Sequence, residues 1–269
     1  MFTLIAALSL AAPVPKPGPD WVTLKGTVVW PEKEKVPEAK AIDLSNVRGG
    51  DADYLRKGGA VFDEPFVIDA KTRGLKDVVV WLRPDDDDPK AKFPAERVHP
   101  DLAKAKPATH TVTSEFGRFD RRVLVARAGD SLKFVNAGTV GVAPKLDLDT
   151  FHDIRLIPPE EKPKVVTDLP AGFGTFCDAI HQGWLNGVDW PPGRGTLRVF
   201  DHPYFALTNE QGEFEIPQVP RGRWRVMYCH PQSGYHKGKD GRLGFPVEVR
   251  GNDDATMTRT PLAYEQPKK

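Results

Sequence analysis

Proline and glycine punctuate this chain throughout, with 26 prolines and 24 glycines among 269 residues. Proline removes a backbone donor and clashes with the preceding helical turn, and glycine loses the most conformational freedom on ordering. Long helices are disfavoured, so the chain reads as short strands joined by turns. The apolar residues between the breakers agree. Val22, Leu24, Gly26, Val28 and Trp30 alternate with Thr23, Lys25, Thr27 and Val29, the period of a half-buried strand. Val78-Val79-Val80-Trp81-Leu82 is a continuous apolar run, which predicts a strand covered on both faces. Shorter strand signals follow at Val123–Val125, Leu132–Val135 and Leu197–Phe200. Tyr204–Thr208, the turn Asn209–Gly212, and alternating Phe214 and Ile216 predict a hairpin. Trp224, Val226 and Tyr228, then Phe245, Val247 and Val249, supply the last strands. Residues 31–70 and 84–110 carry no such pattern. Asp85–Asp88 lacks the spaced ligands of a calcium loop and reads as a solvated acidic loop.

Charge is balanced, with 38 Lys and Arg against 37 Asp and Glu, which leaves no basic field for nucleic acid or anionic lipid. The length suits one large or two small domains. Phe2–Ala12 is an apolar stretch closed by Pro13 and a Pro/Lys-rich run to Asp20. It is too short for a membrane span, which needs about 20 residues. Small residues at Ser9 and Ala11 suit signal-peptidase cleavage after Ala11, although no Lys or Arg precedes Lys16. We expect export to a periplasmic or extracellular location, with residues 1–20 a signal peptide and linker. No later stretch predicts a membrane span. Two cysteines, Cys177 and Cys229, do not make a disulfide framework.

The segments GLKDVVVWLRP, HPDLAKAKP, VLVARAGDSLKFVN and FDHPYFALTNEQGEFEIPQVPRGRWRV resemble secreted bacterial cupredoxin-like (plastocyanin/azurin-like) proteins. In these, a cupredoxin module is joined to a carboxypeptidase-regulatory-like, transthyretin-type sandwich. The resemblance implies an all-β fold of two Greek-key β-sandwich modules. It places the transthyretin-type sandwich at 21–84 and 203–250, split by a cupredoxin-like domain at 110–202, with a tail at 251–269.

A type 1 copper centre needs two histidines and a cysteine thiolate, commonly with a weak axial methionine. The resemblance puts the first histidine at Val142, in Val140-Gly141-Val142-Ala143, where no ligand is present. It assigns Cys177 and His181 to the thiolate and second histidine, with one more intervening residue than in close relatives, and Leu185 to the axial position. His152 is a replacement ligand only if its loop swings in. Tyr54 and Phe116-Gly117 stand where relatives carry cysteines. The implied centre is vestigial, with no cofactor expected and copper as the alternative.

Cys229-His230 with His236 is too sparse for zinc, since adjacent strand residues point to opposite faces. Trp30, Trp81 and Trp224 fall on inward strand phases and read as core. Trp184 and Trp190 are the candidate exposed platform. No G-x-S-x-G, H-E-x-x-H, Walker or dinucleotide motif occurs. The expected function is therefore a non-enzymatic binding protein with a protein or cell-envelope partner. The alternatives are copper-based electron transfer or copper handling, and a carbohydrate- or cell-surface-binding module.

Overall fold

The computed structural model describes residues 21–45, 47, 52–184, 190–250, 255–256 and 260–261. The expected signal peptide, Leu185 and most of the tail lie outside these. Apart from a two-residue pair, Lys40–Ala41 with Phe62–Asp63, the first strands in chain order are β1 (Trp21–Val29), β2 (Val79–Pro84), β3 (Thr109–Glu115), β4 (Arg118–Phe119), β5 (Val123–Arg127) and β6 (Ser131–Asn136). Next come β7 (Pro144–Leu148), β8 (Phe151–Ile154), β9 (Lys164–Val166), β10 (Gly172–Asp178) and β11 (Arg194–Phe200). The last are β12 (Phe205–Leu207), β13 (Glu213–Pro220), β14 (Gly222–His230), β15 (Gly234–Tyr235) and β16 (Phe245–Val249). The α-helices are short: α1 (Ala52–Lys57), α2 (Pro100–Ala103) and α3 (Ala179–Trp184). Among the described residues, no helix is long and apolar enough to cross a membrane. The fold is all-β.

The sheets form two sandwiches. In the first, β1 runs antiparallel to β13, with Thr27 opposite Glu213, and the two-residue strands Ala255–Thr256 and Thr260–Pro261 lie parallel to β1. Its second sheet has the order β12-β2-β14-β15, with β16 on the free part of β14. Leu24, Val28, Val80, Leu82, Ile216 and Trp224 fill the space between. The alternation in β1 is real burial alternation, because Thr23, Lys25 and Thr27 face outward. Gly212 closes the β12–β13 turn at φ +75°, and a Cβ there would sit 2.1 Å from the Val28 carbonyl oxygen. Only glycine fits that approach.

The second sandwich uses strands between residues 109 and 200. One sheet has the order β8-β7-β10-β11-β5 and the other β9-β6-β3-β4. Each contains a parallel pair, β11 with β5 and β3 with β6, which requires crossovers between the sheets. Leu132, Phe134, Leu146, Phe176 and Leu197 make its core.

The two-sided burial of β2 follows from this arrangement. Val80 and Leu82 enter the first core, while Val79 and Trp81 turn the other way and meet Val123 and Phe200 of the second sandwich. Trp30 and Trp224 are core, as their strand phase indicates, but Trp81 is not in the same core. It packs at the contact between the sandwiches, 5.6 Å from the Phe200 ring. The aspartate run is also more than a solvated loop. Arg225 on β14 reaches Asp85 and Asp87, each at 2.9 Å, and Arg83 donates to the Asp88 carbonyl.

Candidate functional site

The position of the suspected metal centre is set by the phase of β10. Phe176 and Asp178 point into the sandwich, so Cys177, between them, points out of it. Cys177 opens onto a cavity of about 480 Å³ that is also lined by Thr175, Arg194 and His230. Burial pushes its thiol upward, opposed by the charge of Lys145. A thiol held protonated is a poor soft ligand.

The inward group beside His181 is Asp178. Its Oδ1 accepts the backbone N–H groups of Ala143 (3.1 Å) and Ile180 (3.2 Å), and its Oδ2 is bonded to Nδ1 of His181. The carboxylate is fully buried and the imidazole is 1% exposed. The sequence therefore turns one residue later than the cysteine would require. Asp178 stands three residues before His181, and the short helix α3 carries that histidine back over the carboxylate.

Val142 lies in the second core and pairs with Ile157 through both backbone bonds, 3.1 and 2.8 Å. It offers no donor atom. His152 lies on the outer edge strand β8, bonded to Asp147 at 2.9 Å with its side chain 69% exposed. Cys177, His181 and Val142 are thus not gathered into a His/Cys/His set. Among the described residues, no three or more His, Cys, Asp or Glu side chains converge as a metal site. The residues in place do not fit type 1 copper.

Several elements hold the Asp178–His181 pair. Gly117, at φ +66°, sits against His181, and a Cβ there would lie 2.4 Å from Cδ2 of Leu55. Its carbonyl accepts Nε1 of Trp190 at 2.7 Å. Trp190 is wholly buried with Tyr54 and Leu55, so it cannot serve as an exposed platform. The Trp184 side chain lies outside what the structure describes. Tyr54 and Phe116, where the resemblance implied cysteines, are brought together. The Tyr54 hydroxyl accepts the Phe116 N–H at 2.7 Å and their rings are 5.1 Å apart. Both cysteines of the chain are free thiols.

No protein-family model matches the chain, and no curated protein matches it. Among solved structures it is similar to a purple cupredoxin from Nitrosopumilus maritimus, at 11% identity and a TM-score of 0.25, over 33% of this chain and 97% of that one. It is also similar to an oxidized point mutant of amicyanin, at 14% identity and a TM-score of 0.27, over 45% and 97%. A third is the Cu-containing nitrite reductase of Thermus scotoductus SA-01, at 18% identity and a TM-score of 0.27, over 44% of this chain and 25% of that one.

Three further histidines, His202, His230 and His236, are buried in packing positions. His230 stacks on Phe66 at 4.7 Å and accepts the Gln232 N–H through Nδ1. His202 accepts the Tyr204 N–H in the same way. Burial pushes them down to about 3 and about 4 respectively, and His236 to about 4, so all three stay neutral. Neither His230 nor His236 shares a metal-binding group with Cys229.

Proposed function

We propose that this chain is an exported, non-enzymatic binding protein whose residues 110–202 form a cupredoxin-type sandwich that has lost its type 1 copper centre. The segments 21–84 and 203–250 form the transthyretin-type sandwich into which it is inserted. The observation that carries this reading is Asp178. A hard carboxylate, already bonded to two backbone N–H groups and to His181, stands where a soft thiolate would be needed, and Val142 supplies nothing opposite it. The apolar segment 2–12 supports export, and the lack of catalytic motifs supports a binding role.

The test is optical. Reduced parent protein titrated with Cu(II) shows no intense thiolate-to-copper band. Val142→His alone stays colourless, because Cys177 faces the other way. Val142→His with Asp178→Cys gains the band, because the Ala143 and Ile180 N–H groups then stabilise a thiolate beside His181. A stoichiometric band in the parent overturns the loss of copper. A folded, colourless double variant overturns the assignment of positions 142, 178 and 181 to the eroded centre.

A further inference from the structure

We propose that the cleft between the two sandwiches binds an oligosaccharide bearing carboxylates. This rests on the binding-protein reading above and names the ligand class. The cleft has a volume of about 760 Å³, within the usual range of ligand sites. Trp81 and Met227 of the first sandwich form one wall, and Arg198, Phe200 and Phe173 of the second form the other.

Its centre is Arg198. The guanidinium lies 4.1 Å from the centroid of the Trp81 ring and 5.3 Å from that of Phe200, and it makes no hydrogen bond or ion pair among the described residues. Stacking covers the guanidinium plane and fixes it, while the N–H edge stays free for a bidentate acceptor. A planar carboxylate matches that fork. The charge around it favours an anion. Lys90, Lys92 and Arg242 also line the cleft, against Asp149 and Asp201, in a chain whose formal net charge is only +1. A further cation, Arg83, is already committed to the carbonyls of Leu243 and Asp88. A cleft of one predominant sign focuses its field on an incoming ligand.

Two features point to a sugar rather than to a bare anion. Phe173 is the cross-strand partner of Arg198 on the same sheet face, and its ring is 48% exposed. A flat apolar ring beside a carboxylate-binding fork suits a pyranose, which offers an apolar C–H face and a ring carboxylate side by side. Asp149 and Asp201 in the lining are acceptors for hydroxyl donors, which suits a polyhydroxylated ligand.

The experiment is calorimetric titration of the full chain with a galacturonic acid tetramer, alongside its fully methyl-esterified counterpart, polyglutamate and inorganic phosphate. The acidic tetramer binds, and methyl esterification weakens it roughly 10–100-fold, the range expected for losing a charge-assisted pair. Arg198→Gln produces a similar loss, and Phe173→Ala weakens binding several-fold with an unchanged melting temperature. If Arg198→Gln does not fold, Phe173→Ala still decides, because that ring is exposed. Equal binding of the ester, equal binding of polyglutamate or phosphate, or binding indifferent to Phe173→Ala overturns the proposal. Absence of binding to any probe also overturns it, and leaves the copper titration to judge the scaffold reading separately.

Discussion

Asp178→Ala puts the buried pair under a direct thermodynamic test. The mutation deprives two backbone N–H groups, those of Ala143 and Ile180, and Nδ1 of His181 of their acceptor, inside a site where neither side chain is more than 1% exposed. Each unsatisfied buried group costs about 1–3 kcal/mol, an upper limit that relaxation at the start of α3 reduces. With three donors losing this acceptor and partial relaxation around them, a loss of about 3–5 kcal/mol is expected here. The melting temperature should drop by about 6–20 °C for a chain of this size. Asp178→Asn keeps an oxygen for both backbone donors and places an amide against His181, so its cost should be about 1–2 kcal/mol. Urea denaturation of the parent and the two variants measures both. A loss below about 1 kcal/mol for Asp178→Ala would mean the pair is hydrated, and the argument that its carboxylate displaced a metal ligand would fail.

Trp224→Ala should cost about 3–5 kcal/mol in the same assay. Its ring stacks on Phe93 at 4.7 Å and its Nε1 donates to the Pro220 carbonyl at 2.8 Å, and a loss under about 1 kcal/mol would show that it is not core. Stability should also depend on pH through His202, His230 and His236, which burial pushes down to about 4, 3 and 4. The unfolded chain takes up these protons near pH 6.5 and the fold does not, so stability is full above that pH and declines as the pH falls toward 4. By pH 5 His202 and His230 should each remove about 2 kcal/mol and His236 less, and a urea midpoint flat from pH 7 to pH 5 would refute their buried neutrality.

The strands with a clean apolar signal were legible in the sequence. β1 alternates, β2 is apolar on both phases because each face meets a different core, and the turn through Gly212 joins β12 to β13. The strands β3, β7 and β8 were not, since Thr109–Glu115, Pro144–Leu148 and Phe151–Ile154 interleave few apolar residues with charge and hydroxyls. The candidate site failed to read for a related reason. β10 carries an aromatic on each phase, Phe173 outward and Phe176 inward, with Gly174 and Thr175 between, so its periodicity does not say whether Cys177 or Asp178 faces the core. The available signal was local: an aspartate three residues ahead of a histidine, at the head of a short helix. Trp190 follows Gly187 and Asp189 in the sequence, which reads as an exposed position, yet its indole donates to the Gly117 carbonyl from a distant part of the chain.

The pairing of β1 with β13 has a consequence for how the protein is made. Thr27 finds its partner Glu213 about 190 residues later in the chain, which at roughly 5–20 residues per second is about 10–40 s of synthesis. Until then β1 has only the short bridge of its end to residues 73–75 and keeps an apolar face, while the strands between residues 109 and 200 already have all their partners among themselves. The second sandwich can therefore finish before the first can begin to close. The time needed to make β13, rather than the folding of the second sandwich, then sets how long the apolar face of β1 stays open to other chains.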